Sequence, residues 1–362
     1  RQLITGDGIA NPKDIVEDSD GNLIVAEHKF GFIKILTASN TVDRTFADNN
    51  RNFRGSATDT CTLDGTNNSL VKELNDLGLA TNVLGVSGDV IYGADSGSTE
   101  GKIVGINTSG ECIEVITHAE LGGFRPYAME VRTIGGQDHL FASGRWWNSG
   151  WRSYFYTKNL TTGAETNCSV NIGNIKNIIR SSTDLTVDNS GSFIYYNTRG
   201  GDIRGFTLTE SGGNYCPQTN ITRSYNDGSD NTRHRKASSI EISRDADDIM
   251  YVASGSKNVV QKVNLTGNNT LTSVTLAGRR NKVNNTADAG TLDASNVNFW
   301  KANALFVTST KVWVSDLKAT IQEFNEDKFT VANIDTSWQN EYGGGKGTRY
   351  DGAKRAIVTV VS

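Results

Sequence analysis

The sequence predicts an all-β chain folded as a six-bladed β-propeller of four-stranded antiparallel blades. Two observations carry this expectation: a strand–turn–strand pattern that recurs six times, and a further strand after each copy. The copies run over 14–27, 82–95, 128–143, 184–197, 239–254 and 303–316. In each, a short apolar run meets Gly, Asp, Asn or Ser and then a run rich in Val, Ile, Tyr, Phe or Trp, the pattern of a β-hairpin. The third strands are read at 31–36, 101–107, 153–158, 202–207, 258–264 and 320–325, several of them alternating apolar with polar. Equivalent small or polar positions (Ala26, Ala94, Ala142, Asn197, Ala253, Ser315) recur at steps of 48 to 68 residues, so the surplus over a blade of about 45 residues goes into loops.

Radial repetition lets 1–362 form a single domain, because each blade packs mainly on its two neighbours. The opening stretch 1–8 resembles the strand at 271–278, which places the N-terminus as the outer strand of the last blade, closing the ring. Within 341–362, the segment 355–362 also reads as a strand. It either competes for that place, pairs beside it, or begins a separate element such as a seventh blade.

The first copy, Asn11-Pro12 through Ile35, resembles the NHL family of propeller repeats. It has the proline, the apolar strand, the Asp20-Gly21-Asn22 turn, and a second apolar strand ending in Ala26 and Glu27. The resemblance implies a six-bladed propeller and leaves activity open, since such propellers serve as binding modules, lactonases, phosphotriesterases, lyases and quinone-dependent sugar dehydrogenases. Function has to be argued from the site.

Composition narrows the class. With charged residues at 21% and a net charge of −4, the chain lacks the basic excess that nucleic-acid binding requires. No run of 18 apolar residues is present to span a membrane. The chain starts at Arg1 and is rich in Asn, Thr, Ser and Gly, from which a secreted, extracellular or periplasmic location is expected. The four cysteines are widely spaced and favour disulfides over a metal site. Each follows a third strand, so bridges between neighbouring blades are expected, Cys61 with Cys112 and Cys168 with Cys216. Eight Asn-x-Ser/Thr sequons are about what chance gives for this composition and prove nothing about glycosylation.

Sorting loops by face locates a candidate site. Turns between strands two and three of each blade, together with the crossings between blades, open on one mouth of the central channel. That mouth collects Arg125, Arg145, Trp146, Trp147, Trp151, Arg180, Arg199, Arg235 and Trp300, of which the segment Arg145-Trp146-Trp147-Asn148-Ser149-Gly150-Trp151-Arg152 is the sharpest feature. Arg presents a planar fork to carboxylate or sulfate, and Trp a flat face to a sugar ring. The preferred reading is therefore a recognition or adhesion propeller for a carbohydrate or other anionic ligand, with self-association or membership of a larger adhesin left open. The alternatives are an enzyme resembling the quinone-dependent sugar dehydrogenases, with pyrroloquinoline quinone held by Arg and Lys, and a polysaccharide lyase or lactonase on the same face.

Catalytic signals are weaker. His28 and His234 are the histidines read as facing the channel, whereas His118 and His139 are read as lying away from it. No Gly-x-Ser-x-Gly elbow supports a serine hydrolase. Asp18 and Asp20 open a calcium-loop-like turn, but Lys29 stands where the bidentate Glu belongs, leaving an incomplete Ca²⁺ site at most. In the calcium-dependent relatives that the resemblance brings in, Glu, Asn and Asp ring an axial ion, and Glu27, Asn82, Asp184 and Asn303 are the corresponding candidates here.

Overall fold

The computed structural model describes residues 3–5, 12–27, 31–39, 41–43, 46, 74–96, 101–147, 151–170, 173–198, 202–225, 237–254, 259–265, 272–277, 292–293, 302–309, 311–316, 320–325, 330–331 and 356–358. The strands follow in chain order. After β1 (Leu3–Thr5), the first blade is built from β2 (Pro12–Glu17), β3 (Leu23–Glu27), β4 (Gly31–Leu36) and β5 (Thr41–Asp43). The second takes β6 (Leu74–Ala80), β7 (Val90–Asp95), β8 (Lys102–Asn107) and β9 (Cys112–Ile116). The third takes β10 (Arg125–Ile134), β11 (Gln137–Trp147), β12 (Trp151–Asn159) and β13 (Glu165–Cys168). Helix α1 (Ile175–Ser181) crosses to the fourth, β14 (Leu185–Val187), β15 (Phe193–Asn197), β16 (Ile203–Ser211) and β17 (Asn214–Pro217), where β18 (Arg223–Tyr225) pairs with the first half of β16. The fifth takes β19 (Ala237–Ile242), β20 (Ile249–Ser254), β21 (Val259–Asn264) and β22 (Thr272–Ala277). A small sheet pairs β23 (Leu292–Asp293) with β27 (Thr330–Val331).

The last blade holds β24 (Ala302–Val307), β25 (Lys311–Asp316) and β26 (Thr320–Asn325), followed by β28 (Ala356–Val358) and then β1. Here the fourth place goes to β28, which runs parallel to β26, and the N-terminal strand pairs antiparallel beside it as a fifth. Both chain ends therefore join one sheet. The first strands of the blades touch in a closed circuit, β2 to β6, β10, β14, β19, β24 and back to β2.

The core lies between blades. Ile15, Val25, Phe32, Leu74, Ile91, Phe306 and Trp313 pack blade 1 between the last blade and blade 2, and Tyr92, Phe124, Met129, Leu140 and Tyr156 join blades 2 and 3, each side chain almost fully buried. Cys168 of β13 is bonded to Cys216 of β17, joining blades 3 and 4 as expected. Cys112 is likewise disulfide-bonded, while Cys61 lies outside the described residues.

Blade 2 departs from the sequence reading. Its first strand is Leu74–Ala80, whereas 82–86, read as the first strand of the 82–95 hairpin, belongs to a largely exposed turn. Gly85 and Gly88 adopt φ of 72° and 86° there, which breaks extended backbone, and Leu84 stands 63% exposed. The apolar run Val83-Leu84 imitated a strand that the glycines forbid.

Glu17 ties the ring across its closure, accepting hydrogen bonds from Lys311 Nζ at 2.9 Å and from the indole of Trp313 at 2.7 Å. Trp313 is almost wholly buried. A Glu17→Ala variant should lose about 1–3 kcal/mol, read as an earlier midpoint in denaturant titrations followed by tryptophan fluorescence.

Candidate functional site: the channel and its mouth

The first strands line the channel, and an irregularity repeats among them. Register shifts fall between Pro12 and Asp14, Leu74 and Asp76, Pro126 and Ala128, Ala237 and Ser239, and Ala302 and Ala304. A β-bulge at the same place in five blades re-aims the residue that follows. That position holds Asp14, Asp76, Ala128, Asp184, Ser239 and Ala304 around the channel.

Each polar member reaches the next first strand. The carboxylate of Asp14 accepts from Leu77 N at 2.7 Å, Asp76 from Met129 N at 2.7 Å, Asp184 from Ile240 N at 2.8 Å, and the Ser239 hydroxyl from Leu305 N at 3.2 Å. Two residues further along, a second tier does the same. Glu130 accepts from Val187 N at 2.6 Å, the Thr186 hydroxyl from Ile242 N at 3.0 Å, and Glu241 from Val307 N at 2.8 Å. Deeper still, Arg132 pairs with Glu130, and Arg244 with Glu241 at 3.0 Å.

Burial disfavours the charged form of these acids. Asp14 is pushed up to about 6, opposed by a hydrogen bond from Asp76, and Glu241 to about 8, opposed by the Arg244 charge. Asp76 and Asp184 are raised, first by desolvation and then by neighbouring carboxylates. Between the tiers lies a cavity of about 30 Å³, room for about two waters and too small for a sugar ring. Among the described residues no group of three or more His, Cys, Asp or Glu is placed to hold a metal ion. Each of these acids instead gives one carboxylate oxygen to a backbone amide of the next blade.

The mouth above blade 3 is different. There the ring position is Ala128, and β10 begins with Arg125 directly opposite Arg145 of β11. The Arg125 guanidinium lies 4.6 Å from the Trp146 ring centroid, and that of Arg145 lies 4.9 Å from Tyr127 while donating to Arg180 O at 2.8 Å. Trp146 stands opposite Arg152, and Trp147 opposite Trp151, on the next rungs of the β11–β12 hairpin. Arg125, Arg145, Trp146 and Arg180 are half-buried, and Arg152 is exposed. The rim is thus a set of cations laid on aromatic faces, each pairing stabilised by the ring quadrupole.

The sequence-read residues divide accordingly. Arg125, Arg145, Trp146, Trp147 and Trp151 come together on blade 3, and Arg180 joins them through its carbonyl. Arg199, Arg235, Trp300, His28 and His234 lie outside the described residues. His118 was read as remote, yet its ring meets Trp146 edge-on at 5.3 Å, because the β9–β10 crossing folds back over the mouth. His139 is buried beside Phe141 and Tyr215, and desolvation lowers its basicity. Asp18 is held inside its hairpin, accepting from Asn22 N at 2.7 Å and pairing with Lys34 at 3.2 Å, while Asp20 is exposed. Of the axial candidates, Asp184 lines the channel, Asn303 donates to Pro12 O, and Asn82 sits in the turn at the far face. Asp76, which occupies the place assigned to Asn82, was missed; the Asn75-Asp76 pair ahead of Leu77 was its signal.

No protein-family model matches the chain, and no curated protein matches it. The NHL resemblance therefore rests on the blade 1 sequence alone. Among solved structures the chain is similar to a luciferin-regenerating enzyme, at 10% identity over 87% of this chain and 88% of that one, with a TM-score of 0.50. It is also similar to the Dos1 propeller, at 9% identity over 89% of this chain and 70% of that one, with a TM-score of 0.43. At 10% identity the first of these likenesses speaks for a shared fold alone.

Gly144 lets β10 and β11 close beneath the rim, since a Cβ there would fall 1.8 Å from the Arg125 carbonyl oxygen. Gly144→Ala should force the strands apart and cost about 1–3 kcal/mol, measurable as a lowered denaturation midpoint.

Proposed function

We propose that this chain is a recognition propeller of an oxidising compartment that binds an anionic carbohydrate, uronic or sulfated, on the blade 3 side of its channel mouth. The observation that carries this reading is the register pair Arg125 and Arg145, two cations facing each other on adjacent strands and each backed by an aromatic ring. Each guanidinium offers a carboxylate or sulfate a planar fork, with charge-assisted hydrogen bonds setting its orientation. Trp146 and the register pair Trp147 and Trp151 follow on the same hairpin, and indole is the kind of flat surface that a pyranose ring stacks on.

Three features support binding at the rim over chemistry in the channel. The cavity on the axis is of water size. Its acids are committed to inter-blade hydrogen bonds. Cys168–Cys216, a cross-blade bridge, fits an oxidising compartment.

The test is a binding screen of the purified chain against polygalacturonate, sulfated glycosaminoglycans and neutral polysaccharides, each incubated afterwards and searched for products. Binding should favour the acidic polymers, weaken with added salt, and leave the polymer intact. Trp147→Ala combined with Trp151→Ala should cut affinity at least tenfold while leaving the melting temperature in place. Release of unsaturated or hydrolysed product would replace recognition by turnover, and equal affinity for neutral polymers would remove the arginines from the account.

A further inference from the structure

The two faces of the propeller differ in charge, and the topology shows why. Turns that join strands one and two of a blade, or strands three and four, lie on the face opposite the mouth. They carry Asp20 between β2 and β3, Glu111 between β8 and β9, Glu210 in the β16–β17 hairpin, and Asp245, Asp247 and Asp248 between β19 and β20. All six are exposed. The described Lys and Arg residues toward that face are buried or half-buried and already engaged. Lys34, Arg132, Lys158, Arg244 and Lys311 are each paired with an acid, and Lys262 lies over the Tyr251 ring. The exposed carboxylates therefore set the sign of the far face.

The mouth carries the opposite sign. Arg125, Arg145 and Arg180 are half-buried there, Arg152 is exposed, and Lys176 of α1 adds a further cation. Glu120 of the β9–β10 crossing is an exposed acid at that end, and its carboxylate is held by Thr117 N and the Thr117 hydroxyl, both at 2.7 Å. A second feature marks the far face. Leu84, in the β6–β7 turn, is the one large apolar side chain that stands exposed among the described residues. Cover from another molecule would remove its surface from water.

We propose that the far face is a docking surface for the mouth of a second copy of this chain, so that propellers associate head to tail. Charge complementarity selects this occupant: the acids of one copy meet the arginines and lysine of the next, and the aromatic rim offers Leu84 its cover. The contact joins two different surfaces on opposite faces of the ring. Each docked copy still presents a mouth and an acidic face, so the assembly grows as a stack and does not close as a pair. Complementary fields set encounter rate and orientation more than affinity, which makes the association weak and salt-dependent. It rests on the cations of the rim proposed above, and a stacked copy and an acidic glycan compete for that mouth.

The experiment is sedimentation velocity of the purified chain over a concentration series. Wild type should sediment faster as concentration rises in about 10 mM salt, where the screening length is about 30 Å, and return to the monomer value in about 1 M salt, where it is about 3 Å. Two charge-reversed variants address the faces separately: Asp20→Lys, Asp245→Lys and Asp248→Lys together on the far face, and Arg152→Glu with Lys176→Glu at the mouth. Both should melt as wild type does, and each alone should associate about tenfold more weakly or worse. An equimolar mixture should regain association, because the native mouth of the first fits the native far face of the second. Should either variant lose its fold, Asp248→Lys and Arg152→Glu repeat the test as single substitutions. A wild type that stays monomeric in low salt, association indifferent to salt, or a far-face variant that associates as wild type does overturns the stack. Adding polygalacturonate separates the two proposals. Dispersal of the stacks supports both, stacks that persist without binding the polymer overturn only the glycan reading, and polymer bound by a chain monomeric throughout overturns only the stack.

Discussion

A propeller's first strands present an edge that no further strand covers, and their amides need acceptors from elsewhere. In this chain the neighbouring blade supplies them through side chains. Asp14, Asp76, Asp184 and Ser239 form one tier, and Glu130, Thr186 and Glu241 the next. An unsatisfied buried amide costs about 1–3 kcal/mol, so each contact fixes the spacing of two blades as well as removing a penalty. A third tier repeats the device at the far turns. Asp89 accepts from Ser19 N at 2.6 Å, Asp138 from Thr81 N at 2.6 Å, and Asp247 from Asn189 N at 2.6 Å. Polar side chains bridge the blades at three heights, while the apolar junctions fill the space between.

This arrangement explains why the acids in the channel are poor candidates for chemistry. A catalytic or metal-binding carboxylate needs lone pairs directed at its target, and these point at backbone amides. Their burial raises the cost of ionisation, which is affordable because a neutral carboxyl still accepts through its carbonyl oxygen. The same groups thus serve the fold and make it sensitive to pH.

Much of this was legible in the sequence, and the reasons for the rest are local. Alternation and turn residues located the hairpins of blades 1, 3, 4, 5 and 6, because their turns carry few competing apolar residues. Blade 2 failed where Val83 and Leu84 enter a turn that Gly85 and Gly88 shape. That slip concealed Asp76. The inter-blade role of Asp14 and Asp184 was hidden for another reason: an aspartate at a strand start is common, and only the hydrogen bonds from Leu77 N and Ile240 N show that it turns toward the adjacent blade. On the rim, the run Arg145-Trp146-Trp147 announced itself through composition, whereas His118 joins it by a fold-back of the β9–β10 crossing that no periodicity records. The fourth place of the last blade went to β28 because parallel and antiparallel partners look alike in a short apolar segment.

Blade 3 is where the repeated plan is altered, and the alteration lies at the mouth. Five of the six ring positions could be exchanged among Asp, Ser and Ala with only the inter-blade contact at stake. In blade 3 the small residue Ala128 is accompanied by longer strands, β10 and β11 running ten and eleven residues, which carry the register past the ring to Arg125 and Arg145. Gly144 permits the close approach that this extension needs. Fold requirements account for the tiers beneath, since the other blades meet them with shorter strands. They do not call for two facing arginines on aromatic rings above the ring position, and that departure from the repeated plan is what the proposed rim rests on.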